Sequence, residues 1–237
     1  MACKAYLLEY TPNPDGLVAA AARICYSDIP ASGLLERERD GRSSARLLKD
    51  LWRSGHHSPF EHASFTFGVD GLSRVASHQL VRHRMASYSQ QSQRYVTMGK
   101  PGADSSGVVI PPSVAANAPA LELFERQVEA AHAAYRALVE MGVPAEDARF
   151  ILPHGWETRL VFTMNARELH HFFGLRLCRR AQWEIRELAR QMLIECRKAA
   201  PLLFGVAGPS CVRGECGEAR PCGSPYRDME DLVKDGH

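Results

Sequence analysis

Three basic side chains, Arg82, His83 and Arg84, stand side by side in a stretch that has helical character from Leu72 onward. At a helical pitch, apolar side chains fall on both sides of this stretch, which predicts a helix largely covered by other elements. A buried guanidinium is costly unless an acceptor meets it, and few acidic residues lie nearby in the sequence. The two arginines therefore indicate a ligand that offers phosphate or carbonyl oxygens. The alternative is a helix end whose arginines pair with acidic residues from elsewhere in the fold.

Polar side chains follow the three basic residues as far as Arg94 and Tyr95. They are Ser87, Tyr88, Ser89, Gln90, Gln91 and Ser92. Their hydroxyl and amide groups can complete a polar pocket for a sugar, a phosphate or a base.

Length and charge restrict the possible classes of protein. The 237 residues suit one domain with a substantial core, and a net charge of +2 argues against a surface that coats nucleic acid. No apolar run is long enough to cross a bilayer and no signal peptide is visible, which predicts a cytoplasmic protein. Seven cysteines, an odd number, favour reduced thiols over a disulfide framework.

Hydrophobic periodicity predicts short strands interspersed with helices. Strands are expected over residues 3–10, 65–69 and 156–165. Helices are expected over residues 17–26, 44–55, 113–141, 165–174 and 181–199. Residues 97–112 are rich in Gly, Pro, Ser and Asp and are expected to form a surface loop. Cys25, near the end of the first helix, is expected to be an inert core thiol.

The segment from His56 to His62 holds three histidines and Glu61. Pro59 predicts a loop here, because the residue before a proline avoids the helical conformation. A zinc site needs a preset set of ligands, which one loop running into a strand does not supply. An exposed polar loop is the plainer interpretation, and no metal is expected.

Four further side chains have plain structural interpretations. Asn165, with Glu168 three residues on, resembles a capping box and predicts the start of a helix. His171 is then a helix-surface or satisfied core histidine, while Arg149 is a surface charge and Arg176 a loop charge.

The tail after Pro201 is rich in Gly, Pro and Cys and is expected to be loop-like. Cys211, Cys216 and Cys222 could hold a metal with Cys196 or a histidine as the fourth ligand. Their spacings are not the compact pairs typical of structural zinc sites, so unliganded thiols and oxidised pairs are the alternatives. The chain is therefore divided into a domain of residues 1–200 and a tail of residues 201–237.

The motifs taken together resemble one known family, the flavin-dependent thymidylate synthases. The resemblance rests on Arg82-His83-Arg84 followed after seven residues by Ser92, with Gln79 before and Arg94-Tyr95 behind. It extends from the first helix to about Ala200. Three further stretches are similar to family patterns: His56-His57-Ser58-Pro59-Phe60-Glu61-His62, Ala148-Arg149 before Leu152-Pro153, and Asn165-Ala166-Arg167 with Leu175-Arg176.

The resemblance implies a role for each matching residue. Expected flavin contacts are Ser58, Glu61, His83, Arg84, Asn165, Arg167 and His171. Expected nucleotide contacts are Gln79, Arg82, Gln90, Ser92, Arg94, Arg149 and Arg176. The expected catalytic residues are Arg176, which faces the uracil ring, with His56 and Ser92. Relatives often carry Asn where this chain has His171 and Glu where it has Gln90, which changes the hydrogen bonds available at both positions.

The reaction implied by the resemblance is reductive methylation of dUMP to dTMP. The carbon donor would be 5,10-methylenetetrahydrofolate, and NADPH would reduce the bound FAD. No cysteine lies within either signature stretch, and Cys178 is the nearest, so positive charge at a uracil carbonyl is expected to replace a thiol nucleophile. Whether the flavin carries only reducing equivalents or also the methylene group is open.

The family resemblance also implies an α+β fold with a central mixed or antiparallel sheet and packed helices. The absence of a Gly-x-Gly-x-x-Gly stretch agrees with a fold that lacks the Rossmann site. The family implies a homotetramer in which several chains build each site. Two alternatives stay open: a flavin-dependent methylase of another pyrimidine nucleotide, and a non-enzymatic nucleotide or RNA-binding module.

Overall fold

A four-stranded antiparallel sheet forms the centre of the fold in the computed structural model, which describes residues 3–39, 44–95 and 107–235. The strands are β1 (Lys4–Tyr10), β2 (Ser64–Ser73), β3 (Ala86–Gln90) and β4 (Glu157–Asn165). Their order in the sheet is β1, β2, β4, β3, and each neighbouring pair is antiparallel. The expected α+β class is therefore confirmed.

The predicted alternation places one face of β2 and β4 in the core. Phe67 lies opposite Phe162 in the register, and their rings stack with centroids 5.8 Å apart. Leu160 and Met164 on the same face are also buried. An apolar side chain at every second position is what a strand with one covered face requires, and the strand predicted over residues 156–165 is confirmed.

Helices cover the sheet and carry much of the site. The α-helices are α1 (Pro14–Arg23), α2 (Ala31–Arg37), α3 (Ser44–Arg53), α4 (Arg74–Leu80), α5 (Pro112–Ala115), α6 (Ala118–Glu140), α7 (Ala145–Ala148), α8 (Ala166–Arg176), α9 (Trp183–Ala199) and α10 (Met229–Lys234). The stripe predicted on α9, from Ile185 to Cys196, is fully buried. Within the described ranges, no helix combines the length and the apolar character that crossing a membrane requires.

The stretch around Arg82 differs from the sequence prediction. α4 ends at Leu80, and β3 follows and pairs with β4, so the expected helix does not continue. The Tyr88 hydroxyl bonds to the carbonyl oxygens of Leu80 and His83 at 2.9 and 2.8 Å, which holds the intervening residues in a turn. Arg82 and Arg84 are exposed on this turn. The prediction that both are buried was therefore wrong for the single chain.

The single helix predicted over residues 113–141 is two helices, α5 and α6. The Asn117 side chain accepts from the N–H of Ala120 at 3.2 Å and begins α6, with Pro119 in its first turn. This local capping interrupts a pattern whose periodicity alone runs on. α6 packs on a second small core made of Val108, Tyr135, Ala148, Leu152 and Trp156.

Three smaller predictions were also wrong. Val108 and Val109, expected in a surface loop, are buried, and Val108 forms a β-bridge with Trp156; residues 97–106 of that loop lie outside the described ranges. α8 continues past Gly174, where a stop was expected. Cys25 is exposed and not a core thiol.

The segment after residue 200 begins inside the main core. Leu203 and Phe204 are buried there, and the N–H groups of Leu202 and Leu203 donate to the Asp15 carboxylate at 3.1 and 2.9 Å. Burial raises the pKa of Asp15, partly offset by these two donors. Further on, residues 213–225 are exposed and form no helix or strand.

Candidate functional site

A cavity of about 580 Å³ opens beside the first turns of α8. Its walls come from α3, the 3-10 turn Ser58–His62, the turn before β3, and α8. The lining residues are Trp52, His57, Glu61, Met85, Asn165, Arg167, Glu168, His170 and His171. Four of these, Glu61, Asn165, Arg167 and His171, are among the residues predicted to contact a flavin.

The start of α8 explains why so many of these side chains meet here. The Asn165 side chain accepts from the N–H of Glu168 at 2.9 Å, which confirms the predicted cap. The helix therefore begins at the end of β4, and its first turns place Arg167, Glu168 and His171 at the cavity. The predicted loop at Pro59 is instead a 3-10 turn, and it presents Glu61 to Arg167 as an ion pair at the rim.

A buried hydrogen-bonded series joins Glu168, His83 and Arg176. His83 Nδ1 lies 2.9 Å from Glu168 Oε1, and Arg176 Nε donates to His83 Nε2 at 3.0 Å. A guanidinium always donates, so Nε2 of the imidazole must be the acceptor and Nδ1 must carry the proton. Burial lowers the pKa of His83, the carboxylate of Glu168 opposes this, and the charge of Arg176 adds to it. His83 is thus a neutral imidazole that orients the guanidinium.

Arg176 lies in the last turn of α8, and two neighbours fix its position. Its Nη2 also donates to the carbonyl oxygen of Gln79 at 3.4 Å. Burial lowers its pKa, although the group stays cationic at any physiological pH. Among the described contacts, these two bonds use two of the five N–H groups of the guanidinium. The other three can be directed at a ligand oxygen.

Flat aromatic rings form the inner wall of the cavity. The Trp52 ring stacks on His57 with centroids 4.0 Å apart and on His170 at 3.9 Å. His170 Nε2 is 2.9 Å from the carbonyl oxygen of Leu203, and burial lowers the pKa of His170 to about 3, so it is neutral. Trp52 lies between His57 and His170 in one stack of rings, so the cavity is offered the edge of this stack and the outer face of His57, which suit an aromatic ligand.

A second basic group lies at the other end of α4. Arg94 forms an ion pair with Glu146, and Arg149 Nε donates to the backbone carbonyl oxygen of Glu146 at 2.9 Å. Arg74, the first residue of α4, has its pKa lowered by burial and by the charge of Arg149. The buried Nε of Arg74 has no hydrogen-bond partner among the described residues. Such a concentration of guanidiniums favours an anion such as phosphate.

The structure brings together only part of the predicted residue set. His56 and Ser58 are exposed, and within the described ranges it is His57 that lines the cavity instead of His56. Gln90 donates from Nε2 to the hydroxyls of Ser77 and Thr158, both at 3.2 Å. The remaining nucleotide candidate, Ser92, accepts from the N–H of Arg94 at 3.1 Å and lies near the second basic group.

Several contributors were missed by sequence reasoning, namely Trp52, His57, Arg74, Met85, Glu168 and His170. Glu168 was noticed only as the third residue of a capping box, and its bond to His83 spans 85 positions. No local pattern could reveal that contact. For Arg74 the available signal was its place directly after the capping residue Ser73, because it starts a helix that ends beside the basic triplet.

His83, Glu168 and His171 could also be considered as metal ligands, since their ligand atoms lie within 4.8 Å of one another. The Arg176 guanidinium, however, already contacts His83. A fixed positive charge at this position disfavours a divalent cation, so the geometry supports a hydrogen-bonded series instead.

Comparisons with known proteins cover most of the chain. The profile of the family described as "Thymidylate synthase complementing protein" matches residues 6–202. The flavin-dependent thymidylate synthase of Geobacter sulfurreducens is 54% identical over 215 residues, 91% of either chain, and that of Clostridium tetani is 45% identical over 242 residues, 94% of either chain. The crystal structure of a UMP/dUMP methylase, PolB from Streptomyces cacaoi bound with 5-Br dUMP, superimposes with a TM-score of 0.72 at 29% identity, covering 86% of this chain and 93% of that one.

Proposed function

The chain belongs to the family of flavin-dependent thymidylate synthases, and we propose that it methylates dUMP in the cavity beside Arg176. Membership makes it an enzyme that uses a flavin, and the similarity to a UMP/dUMP methylase agrees with a pyrimidine nucleotide as substrate. Family membership also argues against the alternative of a non-enzymatic nucleotide or RNA-binding module. The single observation that carries the placement of the reaction is the Glu168–His83–Arg176 series at the cavity wall.

The residues of the cavity fit a flavin. The stack of Trp52, His57 and His170 offers an aromatic wall, and Asn165 and Arg167 offer hydrogen-bonding groups beside it. A volume of about 580 Å³ is in the usual range for cofactor sites. When bound, FAD supplies the reducing equivalents of the methylation. Besides Asn165 and Arg167, the groups proposed to hold the flavin are Glu61, His171 and the exposed Ser58 and Arg84.

The proposed task of Arg176 is to polarise the uracil ring. Carbon 5 of uracil is a poor nucleophile, and its attack on an electrophilic carbon moves negative charge onto a ring carbonyl oxygen. A guanidinium already oriented by His83 and Gln79 stabilises that charge without reorganising during the step. Glu168 holds the imidazole and therefore acts as a positioning residue.

A thiol nucleophile has no support at this cavity. No cysteine lines it among the described residues, and Cys178 lies at a separate cavity. Burial raises the pKa of the Cys178 thiol, which disfavours the thiolate. We expect Cys178→Ala to keep turnover within roughly tenfold of the parent, because electrostatic stabilisation replaces covalent attack. Complete loss of dTMP formation in a folded, flavin-loaded variant would restore the thiol route.

The nucleotide phosphate is assigned to the second basic group. Arg94 and Arg149 meet at Glu146, and Arg74 adds an unpartnered buried donor. Arg74 begins α4 and Gln79 lies near its end, so this group and Arg176 are separated by the seven-residue helix, roughly 10 Å. That separation is on the order of a nucleoside monophosphate. Arg82, Gln90 and Ser92 are the other proposed nucleotide contacts.

The remaining proposals follow the family. They are 5,10-methylenetetrahydrofolate as carbon donor, NADPH as reductant, a cytoplasmic location and a homotetramer whose sites are shared between chains. What supports sharing is the exposure of Arg82, Arg84 and Met85 on the turn before β3, where Met85 lines the cavity. Guanidiniums that one chain leaves in solvent are available to the site of a neighbouring chain.

Tritium release from 5-tritiated dUMP tests the proposed function directly. Release should require methylenetetrahydrofolate and a reduced flavin, and the purified protein should be yellow and bleached by NADPH without oxygen. A colourless protein that binds dUMP but releases no tritium would overturn the proposal.

A second candidate substrate is UMP, because the similar PolB is named a UMP/dUMP methylase. The same release assay with 5-tritiated UMP separates the two. A kcat/KM for UMP equal to or above that for dUMP would replace thymidylate synthesis with methylation of the ribonucleotide.

A further inference from the structure

Four of the seven cysteines line one small cavity, away from the site described above. Cys178 lies just beyond α8, and the other three, Cys211, Cys216 and Cys222, come from the tail. The cavity has a volume of about 40 Å³. The sequence pattern had offered Cys196 as the fourth sulfur, but Cys196 is fully buried in the main core on α9.

A hydroxyl donor lies beside one of the four sulfur atoms. The Ser224 hydroxyl donates toward the Cys222 sulfur, with an oxygen-to-sulfur distance of 4.0 Å. Outer donors of this kind orient sulfur ligands and stabilise their negative charge.

A cation lies next to the four thiols and is incompletely used. Arg179 lines the same cavity, and its guanidinium lies over the Tyr226 ring, 4.4 Å from the centroid. Its Nη2 lies 3.8 Å from the Asp235 carboxylate, and its Nε is buried without a hydrogen-bond partner in the described part of the chain. Four thiolates around a divalent ion carry a net charge of −2, which an adjacent guanidinium partly balances.

The tail around these cysteines has little else to hold it. Residues 213–225 are all exposed and form no helix or strand. The side-chain bonds that anchor this stretch to the rest of the chain are few. Arg213 donates to the carbonyl oxygens of Val206 and Gly208 at 2.8 and 2.7 Å, Arg180 pairs with Glu218 at 3.0 Å, and the N–H of Gly217 donates to the Ser210 hydroxyl at 2.9 Å. Ordering a residue costs conformational entropy, so a segment without an apolar core needs a cross-link to keep one conformation.

We propose that Cys178, Cys211, Cys216 and Cys222 bind one Zn²⁺ ion as four thiolates, in a closed structural site that fastens the tail to the chain two residues beyond Arg176. Zinc is the metal that a tetrahedral set of four thiolates selects, and a site without an open position has no catalytic role. The ion would hold Cys178 in place and so restrain the last turn of α8, where Arg176 lies.

Binding requires the four sulfurs to close around the ion. Among the described residues, only His83, Glu168 and His171 already have ligand atoms within 4.8 Å of one another, so the thiols are more widely spaced. Three of the four cysteines lie on a segment with glycines at positions 214 and 223 in the left-handed region, with φ of 155° and 77°. Cys216 and Cys222 are exposed, so their side chains and the backbone at these glycines can adjust toward the half-buried Cys178 and Cys211 as the ion binds, since metal binding and ordering occur together.

Metal analysis of the full-length protein, purified anaerobically with a thiol reductant and without chelators, tests the proposal. We expect about one zinc per chain. Cys178→Ser and Cys222→Ser should each lower the zinc content by about tenfold or more, while Cys25→Ser, an exposed cysteine away from the cavity, should keep it. A mercurial reagent should release the zinc of the parent protein as it reacts with the four thiols. This measurement uses only the parent protein and so does not require any variant to fold.

Four outcomes would overturn the zinc site. The first is a parent protein that holds no zinc and takes up neither Zn²⁺ nor Co²⁺, and the second is an equal loss of zinc in Cys25→Ser. The third is iron in place of zinc. The fourth is an intact mass that shows disulfide-bonded cysteine pairs in anaerobic protein. Co²⁺ taken up in place of zinc should give absorption bands of tetrahedral thiolate coordination in the red, where oxidised flavin does not absorb. None of these readouts depends on dTMP formation, so the zinc site and the proposed function can fail separately.

Discussion

Arg176 is positioned by a neutral imidazole and a backbone carbonyl instead of by a carboxylate. No carboxylate among the described residues therefore neutralises its charge, which stays available to a substrate oxygen. This distinguishes it from Arg167, which is paired with Glu61, and from Arg94, which is paired with Glu146. A guanidinium that is fixed and unneutralised is what electrostatic catalysis needs.

Replacing Arg176 should therefore remove turnover and leave the flavin in place. We expect Arg176→Ala to lower kcat/KM for dUMP by about 10²–10³, the usual effect of losing one preorganised donor. Arg176→Lys is the matched variant, because it keeps the charge but not the fork, and it should recover only part of the loss. Flavin absorbance reports cofactor content in both. Turnover that is unchanged in Arg176→Ala would remove this residue from catalysis.

The protonation state of His83 should limit activity at low pH. A protonated imidazole donates from both nitrogens, so Nε2 could no longer accept from Arg176. Glu168 raises the pKa of His83, and burial, the larger effect, lowers it. Glu168→Gln removes the carboxylate charge but can still accept from Nδ1, so the acid limb of kcat/KM should move to lower pH. Glu61→Gln is the control at the cavity rim, and an equal shift in that variant would argue against His83 as the titrating group.

His170 should make the folded state sensitive to acid. Burial lowers its pKa to about 3 from the ordinary value of 6.5, so between these values the unfolded chain binds a proton that the folded chain does not. Stability contributed by neutral His170 is present above pH 6.5 and is lost as the pH falls, by up to about 1.4 kcal/mol per pH unit. In His170→Gln, whose amide can still donate to Leu203, urea unfolding should depend less on pH below 6.5. A variant with the same pH dependence as the parent would show that other groups dominate, and His62→Gln is the exposed control.

The strands show what a sequence pattern can and cannot predict at the scale of an element. β4 was predicted because one apolar face alternates with a polar one over its whole length. β3 was missed because Tyr88 is its only large apolar residue, and serine and glutamine occupy its other positions after Ala86. Its pairing with β4 is a long-range contact that no local window contains. The helical periodicity of the sequence therefore predicted a helix through a segment that pairing with β4 makes extended.

The turn before β3 depends on the Tyr88 hydroxyl. It bonds to the carbonyl oxygens of Leu80 and His83 and so sets where the basic triplet leaves α4. Tyr88→Phe leaves these two acceptors without that donor and should destabilise the protein by about 1–3 kcal/mol. Hydrogen exchange should become faster at residues 81–85, whereas α9 should keep its protection. Tyr6→Phe, an exposed tyrosine on β1, is the matched control. Unchanged exchange at residues 81–85 would mean that strand pairing alone fixes the turn.

At the scale of the whole molecule, the single chain leaves functional groups and apolar side chains in solvent. Met85 is 68% exposed at the cavity and Phe150, next to Arg149, is 85% exposed. Large apolar groups exposed beside a site commonly mark a contact with another chain. The main motifs were recognisable from sequence because each is local, whereas the proposed sharing of a site between copies would depend on surfaces that no single stretch encodes.

Mixing two inactive variants tests whether chains share a site. If the exposed Arg84 completes the site of a neighbouring chain while Arg176 serves the site of its own chain, randomly mixed Arg84→Ala and Arg176→Ala subunits should recover about a quarter of the parent activity. Co-expression with two different tags allows the mixed oligomer to be purified. No recovery in a confirmed hybrid would place both arginines of each site on one chain, and a monomer by native mass spectrometry would rule out sharing altogether.

Phe204, two residues beyond the end of the family match at residue 202, packs against His170 with ring centroids 5.3 Å apart, and His170 in turn stacks on Trp52. A chain shortened to end at Ala200 would lose this support behind the aromatic wall of the cavity, although it would keep every signature residue. Truncation for crystallisation should therefore stop well after Ala207, and substitution of Phe204 should lower the flavin content of the purified protein.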